Sequence, residues 1–183
     1  MKYPSAVWLP VKDPSRLKPF RGTPKGLVLH ISNSRGNTIE GLLSTFDGSE
    51  WPPGHLVPPS NPFPSHFGVE RSGRLGQFLD TSHRSMAEEG PSYFSIECAA
   101  NPGDALTPGQ IGAVARLYGW LSAAFNLPLK KCDMAGDMGI GFHAMFITDH
   151  IHCPGPAVIA QRDEILDSLV LWSRTQGDWR KLF

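Results

Sequence analysis

The sequence lacks an excess of charge of either sign, a long apolar run and a paired set of cysteines. Its 17 Lys and Arg residues balance 17 Asp and Glu residues, so no net positive charge favours binding to nucleic acid or to an anionic membrane. No stretch approaches the roughly 20 apolar residues that cross a bilayer, and no apolar run follows the basic residue near the N-terminus, which predicts a chain without a signal peptide. The three cysteines are an odd number without a repeated spacing, which argues against a disulfide framework.

The composition indicates a globular domain, and its apolar runs predict β-strands. Hydrophobic residues make up 40% and charged residues 19% of the 183 residues, which suits a single domain with a substantial core. An apolar run predicts a buried strand over 26–31, with His30 near its end. A hairpin is predicted over 66–79 because Gly73 suits the turn. A further strand is predicted over 93–98, with Phe94, Ile96 and Cys98 on one face and Glu97 on the other.

Helices are predicted at three places. Thr38 or Asn37 caps a short helix that extends to Leu43. The clearest helix begins at Thr107, because Thr is a good N-cap, Pro suits the first helical position and Gln three residues on completes a capping box. A last helix is predicted from about Pro156 to Trp172.

Two segments between these elements are predicted as loops. Residues 51–64 include six prolines and cannot form a regular element, so they are expected to form a surface loop beside a groove. Residues 133–141 are rich in Gly and are expected to form a second loop. Strands and helices alternate imperfectly around one hairpin, so we expect an α/β fold, a single domain over 1–183 with a central mixed sheet flanked by helices.

A group of histidines late in the chain is the strongest chemical signal. Of seven histidines, His143, His150 and His152 lie close in sequence to Cys153. Imidazole and thiolate are preferred zinc ligands, and a catalytic zinc takes three protein ligands and leaves one position for water. Two ligands from this segment and one from a distant strand would form such a site. The spacing alone leaves open that each His is a hydrogen-bonded structural residue and that Cys153 is a buried thiol.

A series of sequence blocks resembles the superfamily of zinc amidases and peptidoglycan recognition proteins, and the blocks follow the order of that superfamily. They are Val28-Leu29-His30, Ser65 to Gln77, Ser95-Ile96-Glu97, Leu106 to Gln110, Gly141-Phe142-His143 and Cys153-Pro154-Gly155. The resemblance implies the fold of this superfamily and the activity of an N-acetylmuramoyl-L-alanine amidase. Such an enzyme uses Zn²⁺ to hydrolyse the amide bond between N-acetylmuramic acid and L-alanine in peptidoglycan.

The resemblance also assigns roles to residues. It implies that His30, His143 and Cys153 bind the zinc ion. It places Glu97 where amidases of the muropeptide-recycling branch carry a catalytic carboxylate, and a carboxylate in that place can accept a proton from water and return it to the leaving amine. The alternative for Glu97 is an ordinary solvated side chain on a strand.

Three positions depart from the pattern of the superfamily. Ser65 stands where phage-type members have Tyr, so proton transfer is expected to depend on Glu97. Arg84 to Ala87 replace a Trp-His-Ala element of the substrate wall. Ile151 stands where a Lys is often found, so His150 or His152 is expected to stabilise the oxyanion as a catalytic residue. The alternative for both His150 and His152 is a loop histidine without a catalytic role.

Two other functions stay open at this stage. Recognition proteins of the superfamily can bind peptidoglycan without cutting it, and they commonly lack the cysteine ligand that Cys153 would supply. A cysteine hydrolase would use Cys153 as nucleophile and His143 or His30 as base. The expected partner is peptidoglycan or a soluble muropeptide, with no nucleic acid and no membrane. We expect synthesis in the cytoplasm and action on the cell wall after release or delivery by another system, as in an endolysin or an antibacterial toxin, or else cytoplasmic recycling of muropeptides.

Overall fold

A mixed β-sheet organises the part of the chain that the computed structural model describes, which is residues 1–12, 17–33, 37–47, 64–87, 92–147 and 152–176. In these ranges six strands follow the spatial order β1-β4-β3-β5-β2-β6, and β3 and β4 form the antiparallel pair. The other neighbours are parallel. The strands are β1 (Val7–Trp8), β2 (Gly26–Ile31), β3 (Phe67–Val69), β4 (Leu75–Gln77), β5 (Tyr93–Cys98) and β6 (Gly139–Phe142).

Helices pack on the two faces of this sheet. Those in the described ranges are α1 (Ile39–Asp47), α2 (Pro108–Phe125), α3 (Pro156–Ala160) and α4 (Arg162–Gln176), with a short 3-10 turn at His143–Met145. None of them combines the length and the apolar character that a membrane span requires. The described elements thus form the single α/β domain with a mixed sheet that the sequence predicts.

The predicted strands and their burial are confirmed for the centre of the sheet. Every residue of β2 and β5 is buried, because both faces of the sheet are covered. The back face carries Leu27 and Leu29 of β2 beside Phe94 and Ile96 of β5, and these side chains belong to the main core with residues of α2 and α4. The hairpin is also confirmed, with Gly73 at a φ of +89° in its turn.

Local capping signals predict α1 and α2 correctly. The Thr107 hydroxyl accepts a hydrogen bond from the Gln110 amide at 3.2 Å, and the Gln110 side chain accepts one from the Thr107 amide at 3.0 Å. This reciprocal pair satisfies two amides that the helix leaves open. Thr38 likewise accepts from the Gly41 amide at the start of α1. Helix α1 extends to Asp47, beyond the predicted end at Leu43.

Two predictions of secondary structure are wrong. The single helix predicted from Pro156 to Trp172 is divided into α3 and α4 at Gln161, whose side chain accepts from the Leu106 amide at 2.7 Å and donates to the Leu106 carbonyl at 3.1 Å. The end of the predicted loop over 133–141 is β6. Its glycines serve close packing, since a Cβ on Gly139 would lie 2.4 Å from the Lys130 carbonyl oxygen and one on Gly141 would lie 2.5 Å from the Met145 side chain. The proline-rich loop predicted at 51–64 lies, apart from Pro64, outside the described residues.

His66 joins the start of β3 to neighbouring segments and is fully buried. Its Nδ1 accepts a hydrogen bond from the Ser95 amide at 3.2 Å, and its Nε2 lies 2.9 Å from the His83 carbonyl oxygen, to which it donates. This pattern fixes a neutral imidazole with its proton on Nε2. Burial lowers the pKa of His66 to about 4 and outweighs the opposing hydrogen bond to His83.

Candidate metal centre

The register of the central strands places a ligand candidate beside the predicted base. His30 of β2 pairs directly with Glu97 of β5. In a parallel ladder, paired residues project from the same face of the sheet, so both side chains lie on the front face. On the other side of β2, Leu29 pairs with Phe142, and His143 is the next residue along the chain.

The predicted zinc ligands converge in space. His30, His143 and Cys153 each offer a ligand atom, and these atoms all lie within 4.8 Å of one another. The His30 Nδ1 and the Cys153 Sγ are 3.8 Å apart, and the centroids of the two imidazole rings are 4.4 Å apart. Donor atoms of a tetrahedral zinc site lie roughly 3.3–3.6 Å apart, given Zn–N near 2.0 Å and Zn–S near 2.3 Å. The three side chains therefore need only small shifts to bind one ion.

The donor set fits zinc better than a hard cation. Two imidazoles and one thiolate suit zinc, whereas Mg²⁺ and Ca²⁺ prefer oxygen ligands. Three protein ligands leave a fourth position for water, as in catalytic zinc sites. The residues present could therefore hold a catalytic zinc ion.

The backbone holds two of these ligands close together. The Ala144 amide, in the 3-10 turn that begins at His143, donates to the Cys153 carbonyl at 3.2 Å. Helix α3 begins after Gly155, which has a φ of +83°. This left-handed conformation favours glycine, which explains the Gly of the Cys-Pro-Gly block.

Cys153 is a poor nucleophile in these surroundings. Burial raises the pKa of its thiol to about 12, and the nearby Glu97 carboxylate adds to this effect, while a hydrogen bond with the Ile31 backbone opposes it. Such a thiol is protonated at neutral pH unless a cation replaces its proton. Since the thiolate is the reactive form, the surroundings disfavour the cysteine hydrolase.

Glu97 is buried. Only 9% of its surface is exposed, whereas the alternative, an ordinary solvated strand residue, would have an exposed side chain. The hydroxyl of Ser65, which is fully buried, donates to the Glu97 Oε2 at 3.4 Å. Sequence reasoning missed this contact and noted Ser65 only as a substitute for Tyr. The available signal in the sequence for this contact was the position of Ser65, directly before His66-Phe67.

Of the other candidates, the structure describes His152 and the segment from Arg84 to Ala87. His152 is exposed and directly precedes Cys153, so its role at the oxyanion stays a prediction. His150 and Ile151 lie outside the described residues. The segment from Arg84 to Ala87 lies next to Ser65, because the Ser85 hydroxyl donates to the Pro64 carbonyl at 2.9 Å.

Comparison with known proteins gives matches in structure but not in sequence. No family model and no curated protein matches the chain. A selenomethionine derivative of AmpD has a similar structure, with a TM-score of 0.68, 18% identity and coverage of 90% of this chain and 96% of that chain. The N-acetylmuramoyl-L-alanine amidase LysC from Clostridium intestinale URNW gives a TM-score of 0.66 at 16% identity, with coverage of 91% and 98%.

A peptidoglycan recognition protein has the same fold. PGRP-LE in complex with tracheal cytotoxin, a monomeric diaminopimelic acid-type peptidoglycan, gives a TM-score of 0.62 at 10% identity. The match covers 87% of this chain and 93% of that chain. These similarities show that the chain has the fold shared by amidases and peptidoglycan recognition proteins, as the sequence blocks predict.

Proposed function

We propose that this protein is a zinc-dependent N-acetylmuramoyl-L-alanine amidase that hydrolyses the bond between N-acetylmuramic acid and L-alanine in peptidoglycan. The observation that carries the proposal is the convergence of His30, His143 and Cys153 on the sheet face that bears Glu97. The fold shared with LysC supports the reaction. The fold shared with PGRP-LE, which is bound to a peptidoglycan fragment, supports the substrate class.

In this proposal Glu97 performs the proton transfers. Bound zinc would supply Lewis-acid polarisation of the lactyl carbonyl and a water that ionises near neutral pH. The Glu97 carboxylate accepts the proton of the attacking water and delivers it to the nitrogen of L-alanine as the amide bond breaks. Ser65 orients the carboxylate through its hydrogen bond to Oε2, and the low exposure of Glu97 strengthens its electrostatic effect on the reacting atoms.

A non-catalytic recognition module is the second candidate, because the fold is also that of PGRP-LE. Binding of peptidoglycan needs no metal ligand at position 153. Hydrolysis, but not binding, requires a carboxylate near three zinc donors. These two features favour the amidase.

Metal content and product analysis together test the proposal. Purified protein should contain about one zinc ion per chain, which is the stoichiometry of a single catalytic site. Sacculi and soluble muropeptides, digested side by side and analysed by mass spectrometry, should release peptides that begin with a free L-alanine amine and leave intact glycan. Glu97→Gln protein serves as the control for contaminating hydrolases. Protein that binds no zinc after reconstitution would contradict the proposal, and binding of sacculi without cleavage would favour the recognition module.

A further inference from the structure

Arg162 is a buried cation that the proposed reaction does not use. It is the first residue of α4, and only 5% of its surface is exposed. Its guanidinium contacts three backbone carbonyls, one carboxylate and one aromatic ring. Because the guanidinium is planar and rigid, these five contacts together fix the relative positions of the groups that it touches.

On one side the guanidinium holds the strand that leads to a metal ligand. Its Nη1 donates to the Cys132 carbonyl at 2.7 Å and to the Ile140 carbonyl at 3.3 Å. Its Cζ lies 4.8 Å from the centroid of the Phe142 ring. Phe142 directly precedes His143, so the guanidinium contacts β6 at the Ile140 backbone and at the side chain of the residue before the ligand.

On the other side the guanidinium holds the helix that follows another ligand. Its Nε donates to the Ile159 carbonyl at 3.0 Å, and Ile159 belongs to α3, which begins shortly after Cys153. Its Nη2 donates to Asp133 at 2.6 Å. The Asp133 side chain is 69% exposed, so this ion pair contributes little by itself. The hydrogen bonds to the backbone carbonyls, and not the ion pair, therefore hold the segments around Arg162 in place.

We propose that Arg162 is a positioning residue for the metal centre and keeps the segments of His143 and Cys153 at the spacing that zinc requires. This inference rests on the proposed zinc site. The third ligand, His30, is fixed by the hydrogen-bond ladders of β2 instead. Loss of Arg162 would therefore loosen two ligands relative to the third, and metal affinity depends on ligands that are already in place.

Zinc affinity in two matched variants tests this role. Gln110 is the control, because it is also fully buried and its side chain donates to two carbonyls, those of Val69 at 3.4 Å and Ala99 at 3.1 Å. Those carbonyls lie at the ends of β3 and β5, which carry no metal ligand. Competition with a chromophoric chelator gives the zinc dissociation constant, and denaturant titration of the metal-free proteins gives their stability.

We expect both Arg162→Met and Gln110→Met to lower stability, but only Arg162→Met to weaken zinc binding. The expected loss of affinity is about 10- to 100-fold, the range found for residues that orient metal ligands. Unchanged affinity in Arg162→Met, or equal losses in the two variants, would overturn the inference. If Arg162→Met does not fold, Arg162→Lys keeps the charge and part of the contacts and must still weaken zinc binding. Wild-type protein that binds no zinc would contradict the proposed function itself.

Discussion

The buried imidazole of His66 should make the stability of this protein depend on pH. In the folded state its Nδ1 accepts from the Ser95 amide. A proton on Nδ1 would set the Nδ1–H and the Ser95 N–H, two hydrogen-bond donors, against each other and would leave a charge in a fully buried site. The pKa of about 4 in the folded protein compares with about 6.5 in the unfolded chain.

The sign and size of the effect follow from these two values. Because the folded pKa of His66 is depressed, the unfolded chain binds the proton first as the pH falls. The stabilisation is fully present above about pH 6.5 and is lost as the pH falls towards 4. Between pH 7.5 and pH 4.5 the free energy of unfolding should decrease by roughly 2 to 3 kcal/mol through this one residue.

Urea denaturation of wild-type and His66→Gln protein at several pH values measures this contribution. Both proteins are examined with a chelator present, so that metal binding does not add its own pH dependence, and other ionisations cancel in the difference. Gln cannot be protonated, so the variant should be less stable at pH 7.5 and should approach or exceed the wild type at pH 4.5. Parallel pH profiles of the two proteins would refute the reasoning.

Five further substitutions test the site, its support and the packing of the sheet. Glu97→Gln should keep its zinc and near-normal thermal stability, while turnover of peptidoglycan falls at least about a hundredfold, as is usual when a general base is lost; near wild-type turnover would exclude Glu97 as the base. Cys153→Ala should lose both zinc and activity in metal analysis and digestion assays, whereas Cys132→Ser, outside the donor set, should retain most of both. Ser65→Ala should lower kcat several-fold with KM and zinc content unchanged, and an effect confined to stability would contradict its orienting role. Gly68→Ala should lower the free energy of unfolding by about 1–3 kcal/mol, measured in urea, because its Cβ would lie 2.7 Å from the Phe78 ring; unchanged stability would contradict this packing.

Features with a local cause could be predicted from the sequence. The capping box at Thr107 needs only residues that are neighbours in the chain, and the strand before His30 follows from its apolar run. Features set by distant contacts could not be predicted in this way. The break at Gln161 depends on hydrogen bonds with Leu106, and β6 was missed because glycines that allow close packing look like loop glycines in sequence.

In the candidate site, too, the sequence could predict some features and not others. The cluster of His and Cys residues and the order of the sequence blocks together indicate His30, His143 and Cys153, whose ligand atoms the structure places together. No periodicity or spacing could indicate that the Ser65 hydroxyl contacts Glu97 or that Arg162 joins β6 to α3. The Ser65–Glu97 contact and the contacts of Arg162 with Cys132 and Ile140 link segments that are far apart in the chain, and their geometry exists only after the sheet has formed.

The three ligand candidates are anchored to different degrees, and this bears on how an ion would enter and leave. His30 lies on a central strand with neighbours on both sides, and such strands open only when the whole domain unfolds. Cys153 lies in a turn before α3, and turns open with far smaller free energies. An ion would then be exchanged through opening of the Cys153 turn and of the 3-10 turn of His143 that is hydrogen-bonded to it, while His30 keeps its place. Such an ion could be lost and regained without unfolding of the domain, at a rate set by the opening of these two turns.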